Sequence, residues 1–323
     1  MSRLAQISAL AGLVTVLGFI GCSSSSAEPE ASDATMSQAS ENDNAITLYD
    51  RRIARAAADY RSLVAYAQQP EERVDEGTVA RRFHQLAAEF QSILGENPKQ
   101  VEAHILYGKL LDFFGDRDGA KEQFASALHL NPDIAVVNQY MGTYHAEEGD
   151  FAQALAYYLR ATELAPKEAV YFYSLGELLY TYRPGILEAG ILSADQLDVE
   201  MFEAFRRAAQ LAPERLDLQF RYGESFYDRP DPDWEAALAH WKRMQDRNDL
   251  TPLQSDAIRL HRARVLGELH RYQEARDAAN LVVQEGLIQS RDNLIEAIND
   301  AEAREQNGGE DTPASNEPAE EAK

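Results

Sequence analysis

The chain has 323 residues, 45% of them hydrophobic, with only 18 Gly and 12 Pro, so it holds enough apolar material for a core and is not low-complexity. Its formal charge of −23 repels a phosphate backbone instead of releasing counterions, which excludes nucleic acid as a natural partner. A single cysteine excludes an intramolecular disulfide and a cysteine-based zinc site.

The first residues read as an address. Met1-Ser2-Arg3 is a short positive start, and Leu4–Ile20 is apolar with small residues interspersed, ending in Phe19-Ile20-Gly21-Cys22. The run is too short and too glycine-broken for a spanning helix. Residues 1–22 resemble a bacterial lipoprotein signal peptide, with Gly21 and Cys22 matching its cleavage box and Phe19 standing where leucine is usual. The resemblance implies a lipid anchor on Cys22 in the bacterial cell envelope. With Ser23, not Asp, after the cysteine, it also implies the outer membrane, facing the periplasm. An incidental cysteine and an uncleaved membrane anchor are the alternatives. Residues 23–44 are polar, with almost no large apolar side chain, and are expected to be a disordered tether. Such a segment reaches at most about 75 Å fully stretched and about 25 Å as a coil.

Residues 45–99 are expected to form a divergent helical hairpin from two amphipathic stretches, Ile46–Ala67 and Val79–Leu94, with Phe90, Ile93 and Pro98 in its second half. From there a period of 34 governs. Gly108, Gly142 and Gly176 are each 34 positions apart, and so are Ala120 and Ala154, Phe124 and Tyr158, Ala127 and Ala161, and Pro132 and Pro166. Small residues let two antiparallel helices approach while the aromatic fills the space beside them. Asn131-Pro132 then ends the second helix. Units are expected at 101–134 and 135–168. The third, 169–215, runs from Gly176 through Phe205 and Ala208 to Pro213 and carries 13 extra residues. They are expected as a loop near 183–193, where Pro184-Gly185 is a turn signal and Ser193-Ala194-Asp195-Gln196 reads as a capping box. A fourth unit, 216–250, has Gly223 followed by Trp234, Ala237, Trp241 and Met244. A fifth opens at Thr251-Pro252-Leu253-Gln254 and, with a capping helix over Asp292–Glu305, fills 251–305. Residues 306–323 are expected to be a disordered acidic tail.

Units of this length, with Tyr107-Gly108 and Met141-Gly142 in the first helices and Ala127 to Pro132 and Ala161 to Pro166 in the second, resemble the tetratricopeptide repeat family. The resemblance implies an all-α fold, a right-handed α-solenoid of stacked antiparallel helix hairpins whose first helices line a concave face. It maps Lys109, Asp112, Gln139, Tyr173, Glu177, Tyr180, Phe220, Glu224 and Tyr227 onto that face. Aromatics interleaved with carboxylates suit a peptide with apolar and basic side chains. Tyr180 and Tyr227 have a second reading, as packing between neighbouring hairpins. The clamp of Lys, Asn and Arg by which some family members hold acidic chaperone tails is absent, since Lys109 stands alone.

No glycine-rich phosphate loop, H-E-x-x-H or nucleophile elbow occurs. The seven histidines fall singly, with His104 and His145 at inward positions that suit packing. Glu147 and Glu148 point apart on a helix and read as a solvated face. The expected function is a lipid-anchored envelope scaffold that binds another protein or peptide, without catalysis, cofactor, metal or small-molecule substrate. A non-catalytic accessory or regulatory subunit of an envelope enzyme or assembly machine is the alternative.

Overall fold

The computed structural model describes residues 48–70 and 73–307. Cys22, the expected signal peptide and tether, and the acidic tail after Asn307 lie outside them. All regular structure among the described residues is helical. In chain order the helices are α1 (Leu48–Ala67), α2 (Glu76–Glu96), α3 (Val101–Phe113), α4 (Arg117–Leu130), α5 (Ala135–Glu147), α6 (Phe151–Leu164) and α7 (Ala169–Thr181). There follow α8 (Arg183–Glu188), α9 (Ala194–Leu211), α10 (Leu216–Ser225), α11 (Trp234–Gln245), α12 (Pro252–Glu268), α13 (Tyr272–Asn280) and α14 (Ile288–Gln306).

Local chemistry starts and stops these helices. Asp75, Asp116, Asp150 and Asp233 each accept a hydrogen bond from the backbone N–H three residues on, satisfying a donor that the helix itself leaves open. Ser193 with Gln196 and Thr251 with Gln254 close both arms of a capping box. Between α3 and α4 the chain reverses in a Schellman turn: Gly115 N–H bonds the Asp112 carbonyl at 3.0 Å and Asp116 N–H the Leu111 carbonyl at 2.9 Å. Between α5 and α6, Gly149 and Asp150 repeat it one period later. Both glycines sit at positive φ, 85° and 81°. Between α12 and α13 the same turn is made by His270 at φ 58°.

Side-by-side packing within four of the hairpins rests on one repeated contact. A Cβ on Gly108 would lie 2.7 Å from the Phe124 ring, and one on Gly142 would lie 2.8 Å from the Tyr158 ring. The corresponding distances are 2.6 Å for Gly176 and Phe205, and 2.3 Å for Gly223 and Trp241. The partners are 16 positions apart in the first two pairs, 29 in the third and 18 in the fourth, so insertions are absorbed between the helices while the contact is kept. The 13 extra residues of the third unit are not a loop throughout, which corrects the sequence expectation. Arg183–Glu188 is the short helix α8, with Pro184 in its first turn, where the missing N–H costs nothing. Ile186 is fully buried, Gly185 lies against the Phe151 ring, and Arg183 pairs with the buried Asp198 of α9.

Two compact units are distinguished, one ending at Leu218 and the other beginning at Gln219. In the first, the hairpins α1/α2, α3/α4, α5/α6 and α7/α9 follow one another through contacts of α2 with α3, α4 with α5 and α6 with α7. In the second, α11 packs on α12, α12 on α13, and α14 lies on both α12 and α13. Each unit is all-α and made of stacked antiparallel helices, the build of an α-solenoid. No helix among the described residues is long and apolar enough to cross a membrane.

Candidate functional site

In the first unit the helices α3, α5 and α7 are tied edge to edge by polar side chains. Tyr144 of α5 donates from its hydroxyl to Asp112 Oδ1 on α3 at 2.6 Å, with the Arg117 guanidinium 4.7 Å from the centre of the Tyr144 ring. Burial, and then the acceptor Asp112, push that hydroxyl well above the usual tyrosine range. Gln139 of α5 donates to Ser174 Oγ on α7 at 2.7 Å, and the Thr143 and Tyr158 hydroxyls meet at 2.8 Å across α5 and α6. Asp112 and Gln139 are therefore engaged in holding first helices in register. Lys109 is buried in α3 and makes no hydrogen bond or ion pair with a described residue.

On α7 the positions 173, 177 and 180 form one row, as a spacing of three and four residues requires. Tyr173 meets Phe205 edge to face at 6.0 Å and is half-buried, as is Glu177. Tyr180 is 48% exposed, so much of its ring stays at the surface.

Phe220, Glu224 and Tyr227 belong to the second unit, where Phe220 and Tyr227 enter an aromatic stack. His261 lies flat against Trp241 at 4.1 Å and 6°, and against Tyr227 at 5.8 Å and 16°. The Arg264 guanidinium lies over the Tyr227 ring at 4.1 Å. Phe220 meets both Trp241 and His261 edge to face. The Tyr227 hydroxyl is 3.2 Å from His261 Nδ1. Burial, then Arg264 and His240, push the His261 pKa down to about 3. Burial first, with Arg243 adding a little, takes His240 down to about 4, against the hydrogen bond of its Nε2 to the Gln219 carbonyl at 2.9 Å. Both rings are therefore neutral at pH 7. The two histidines are not isolated, since Trp241 contacts each of them.

Other polar residues serve packing as well. His104 bridges Gln123 and the Pro98 carbonyl, and His145 stacks on Tyr157. Glu147 and Glu148 reach back to Arg117 and Lys121 of α4, so this acidic pair joins hairpins instead of facing water alone. Two buried carboxylates escaped the sequence reading. Asp198 is held by Arg183, and Asp256 by Arg259 at 2.5 Å and by the N–H groups of Val283 at 2.7 Å and Gln284 at 2.8 Å. An arginine three positions after Asp256 was the one local signal. No group of histidine, cysteine or carboxylate side chains suited to a metal ion occurs among the described residues.

Hairpins closed by a glycine against an aromatic in four successive units, with polar ties between first helices in the first unit, define a helical-repeat fold, an α-solenoid of antiparallel hairpins. Residues 141–168 match the family model described as Tetratricopeptide repeat. Among solved structures the chain is similar to YrrB, described as a TPR protein with an unusual peptide-binding site. Identity is 14% over 66% of this chain and 99% of that one, with a TM-score of 0.51. It is also similar to PilF of Pseudomonas aeruginosa (13% identity, 77% and 99% of the two chains, TM-score 0.49). PilW, a type IV pilus biogenesis factor, aligns at 16% identity over 73% and 98%, with a TM-score of 0.44. At 14% identity the likeness to YrrB is one of fold alone. No curated protein matches the chain.

Proposed function

We propose that the protein is a non-catalytic scaffold that captures another protein or a peptide on the α3, α5 and α7 face of its first unit. The observation that carries this reading is the row Tyr173, Glu177 and Tyr180 on α7, which ends in a tyrosine 48% exposed. An amphipathic ring kept at the surface beside a carboxylate suits an apolar or basic side chain of a partner. The Gln139 amide is already given to Ser174 and Lys109 is buried, so the row on α7 carries the face. YrrB, which shares the fold, is described as having a peptide-binding site. In the second unit Phe220 and Tyr227 serve the stack around His261.

The same proposal places the scaffold in the bacterial envelope, lipid-anchored through Cys22 to the outer membrane and facing the periplasm. The support is the apolar run ending in Gly21-Cys22. Incorporation of labelled fatty acid that is lost in Cys22→Ser supports the anchor; incorporation that persists refutes it. For the binding face, a photocrosslinking residue at position 180 of the membrane-anchored chain is expected to capture a discrete protein, identified by mass. Tyr173→Ala/Tyr180→Ala is expected to abolish capture from a crosslinker at 139 without changing helicity. Capture that survives this pair refutes the site.

A further inference from the structure

The outer side of the first hairpin carries a second feature. Within the first unit α3/α4 and α5/α6 each have a hairpin on either side, and α2 is covered by α3. On the other side of α1/α2 no described helix packs, and a cleft of about 430 Å³ opens there, within the range of small-ligand and peptide pockets. From α1 it is lined by Arg52, Arg55 and Asp59, and from α2 by Arg82, Gln85 and Glu89. These residues recur at three- and four-residue spacing on each helix, so they form two facing rows. Ala56, Leu63 and Leu86 make its apolar floor.

The three arginines are not equivalent. Arg52 is consumed structurally: it binds Glu89 at 2.9 Å, Glu96 at 2.9 Å and Ser92 at 3.0 Å, clasping α1 to α2. Arg82 donates to a neutral acceptor, Ser62 Oγ, at 2.9 Å and lies 5.9 Å over the Tyr66 ring. Arg55 is exposed and makes no hydrogen bond or ion pair with a described residue, although Asp59 is one turn away. Two guanidiniums without a carboxylate thus face one cleft, in a chain with 54 acidic and 31 basic side chains, where ion pairing would be easy to arrange. A guanidinium presents two parallel N–H donors that match a carboxylate.

We propose that this cleft is a peptide-binding site, separate from the α3, α5 and α7 face, that takes an acidic segment of a partner protein by carboxylate contacts to Arg55 and Arg82. The mixed lining decides between occupants. A cleft between two helices admits an extended chain segment where a bilayer surface is flat, and Asp59 and Gln85 offer an acceptor and an amide to its backbone alongside the two guanidiniums.

The test uses the full chain and a fluorescent hexaglutamate peptide at low salt, with hexaglutamine as control. Hexaglutamate is expected to bind, hexaglutamine not. Arg55→Gln/Arg82→Gln is expected to weaken binding by about tenfold or more, the effect of one lost charge-assisted contact. Arg55→Lys/Arg82→Lys keeps the charge but loses the fork and is expected to fall between. Unchanged unfolding midpoints for both variants keep the comparison valid; because Arg82 bonds Ser62 across α1 and α2, Arg55→Gln alone, which breaks no contact with a described residue, is also measured and is expected to weaken hexaglutamate binding. Equal binding of the two peptides, or binding indifferent to both arginines, overturns the proposal. So does loss, in the Gln pair, of binding to phosphatidylserine vesicles or of self-association in place of peptide binding.

Discussion

Gly142 offers a sharp test of what closes a hairpin. An alanine there adds one methyl group whose carbon would lie 2.8 and 3.0 Å from two Tyr158 ring atoms and 3.3 Å from the Ala154 carbonyl oxygen. Carbon atoms in good contact sit about 3.5–4.0 Å apart, so roughly 0.7 Å or more must be found by moving the ring or parting α5 from α6. The ring has little freedom, since it is 7% exposed and its hydroxyl is tied to Thr143. In a helix interior Gly→Ala is worth about 1 kcal/mol in favour of alanine, and overpacking costs about 1–3 kcal/mol. The net expectation is a loss of up to about 2 kcal/mol. Gly95→Ala in α2 supplies the control: nothing lies within 4 Å of its Cβ, so propensity acts alone and stability should rise by up to about 1 kcal/mol. Urea unfolding followed by far-ultraviolet circular dichroism reads both changes as shifts in midpoint at constant slope. In a Tyr158→Ala background the penalty of Gly142→Ala should vanish, because the obstructing ring is gone. Gly142→Ala matching Gly95→Ala in sign and size would refute the close-approach account of the repeat.

Other expectations follow from the same contacts. Asp256→Ala removes a buried acceptor from the N–H groups of Val283 and Gln284 and takes from Arg259 its carboxylate, leaving it the Leu281 carbonyl. A loss of about 3 kcal/mol is expected, with faster hydrogen exchange at those two amides as the specific readout. His240 and His261 have folded pKa values of about 4 and about 3, below the ordinary 6.5. The unfolded chain therefore takes up their protons first, so stability is complete above pH 6.5 and declines as pH falls toward 4. Each histidine contributes a slope of about 1.4 kcal/mol per pH unit. Between pH 7 and 5, His240→Gln/His261→Gln should flatten that decline, measured by urea midpoints; an unaltered slope would count against buried neutral rings. At position 270, which holds φ 58° where the equivalent turns use Gly115 and Gly149, glycine should stabilise by about 0.5–1 kcal/mol and valine should destabilise. The exposed contact of His270 with Glu305 offsets little of that gain. Thermal midpoints of the two variants moving in the same direction would contradict this.

The architecture was legible in the sequence because a hairpin repeat is specified locally. Glycine and an aromatic sixteen positions apart determine where two helices touch, aspartate or serine marks where a helix begins, and proline marks where it cannot continue. Each of these acts over one or two turns, so the pattern is visible without the fold. Positive φ at Gly115 and Gly149, with Asp116 and Asp150 beside them, was a further periodic signal that the sequence reading passed over. The insertion was harder: Pro184-Gly185 marks a turn by itself, and only the apolar floor offered by Phe151 makes a helix of it.

The surface is a different matter. Period alone assigns Asp112, Gln139, Tyr180 and Tyr227 to one kind of face, but their surroundings come from helices 30 or more residues away, whose lateral approach no local pattern encodes. Tertiary packing gave Asp112 to Tyr144 and Gln139 to Ser174, set Tyr227 against His261 and Arg264, and left Tyr180 half exposed. It also brought Arg55 and Arg82, 27 positions apart, to the two walls of one cleft. Side-chain spacing within a helix determined the scaffold; the distance between helices determined which of its polar groups remain available.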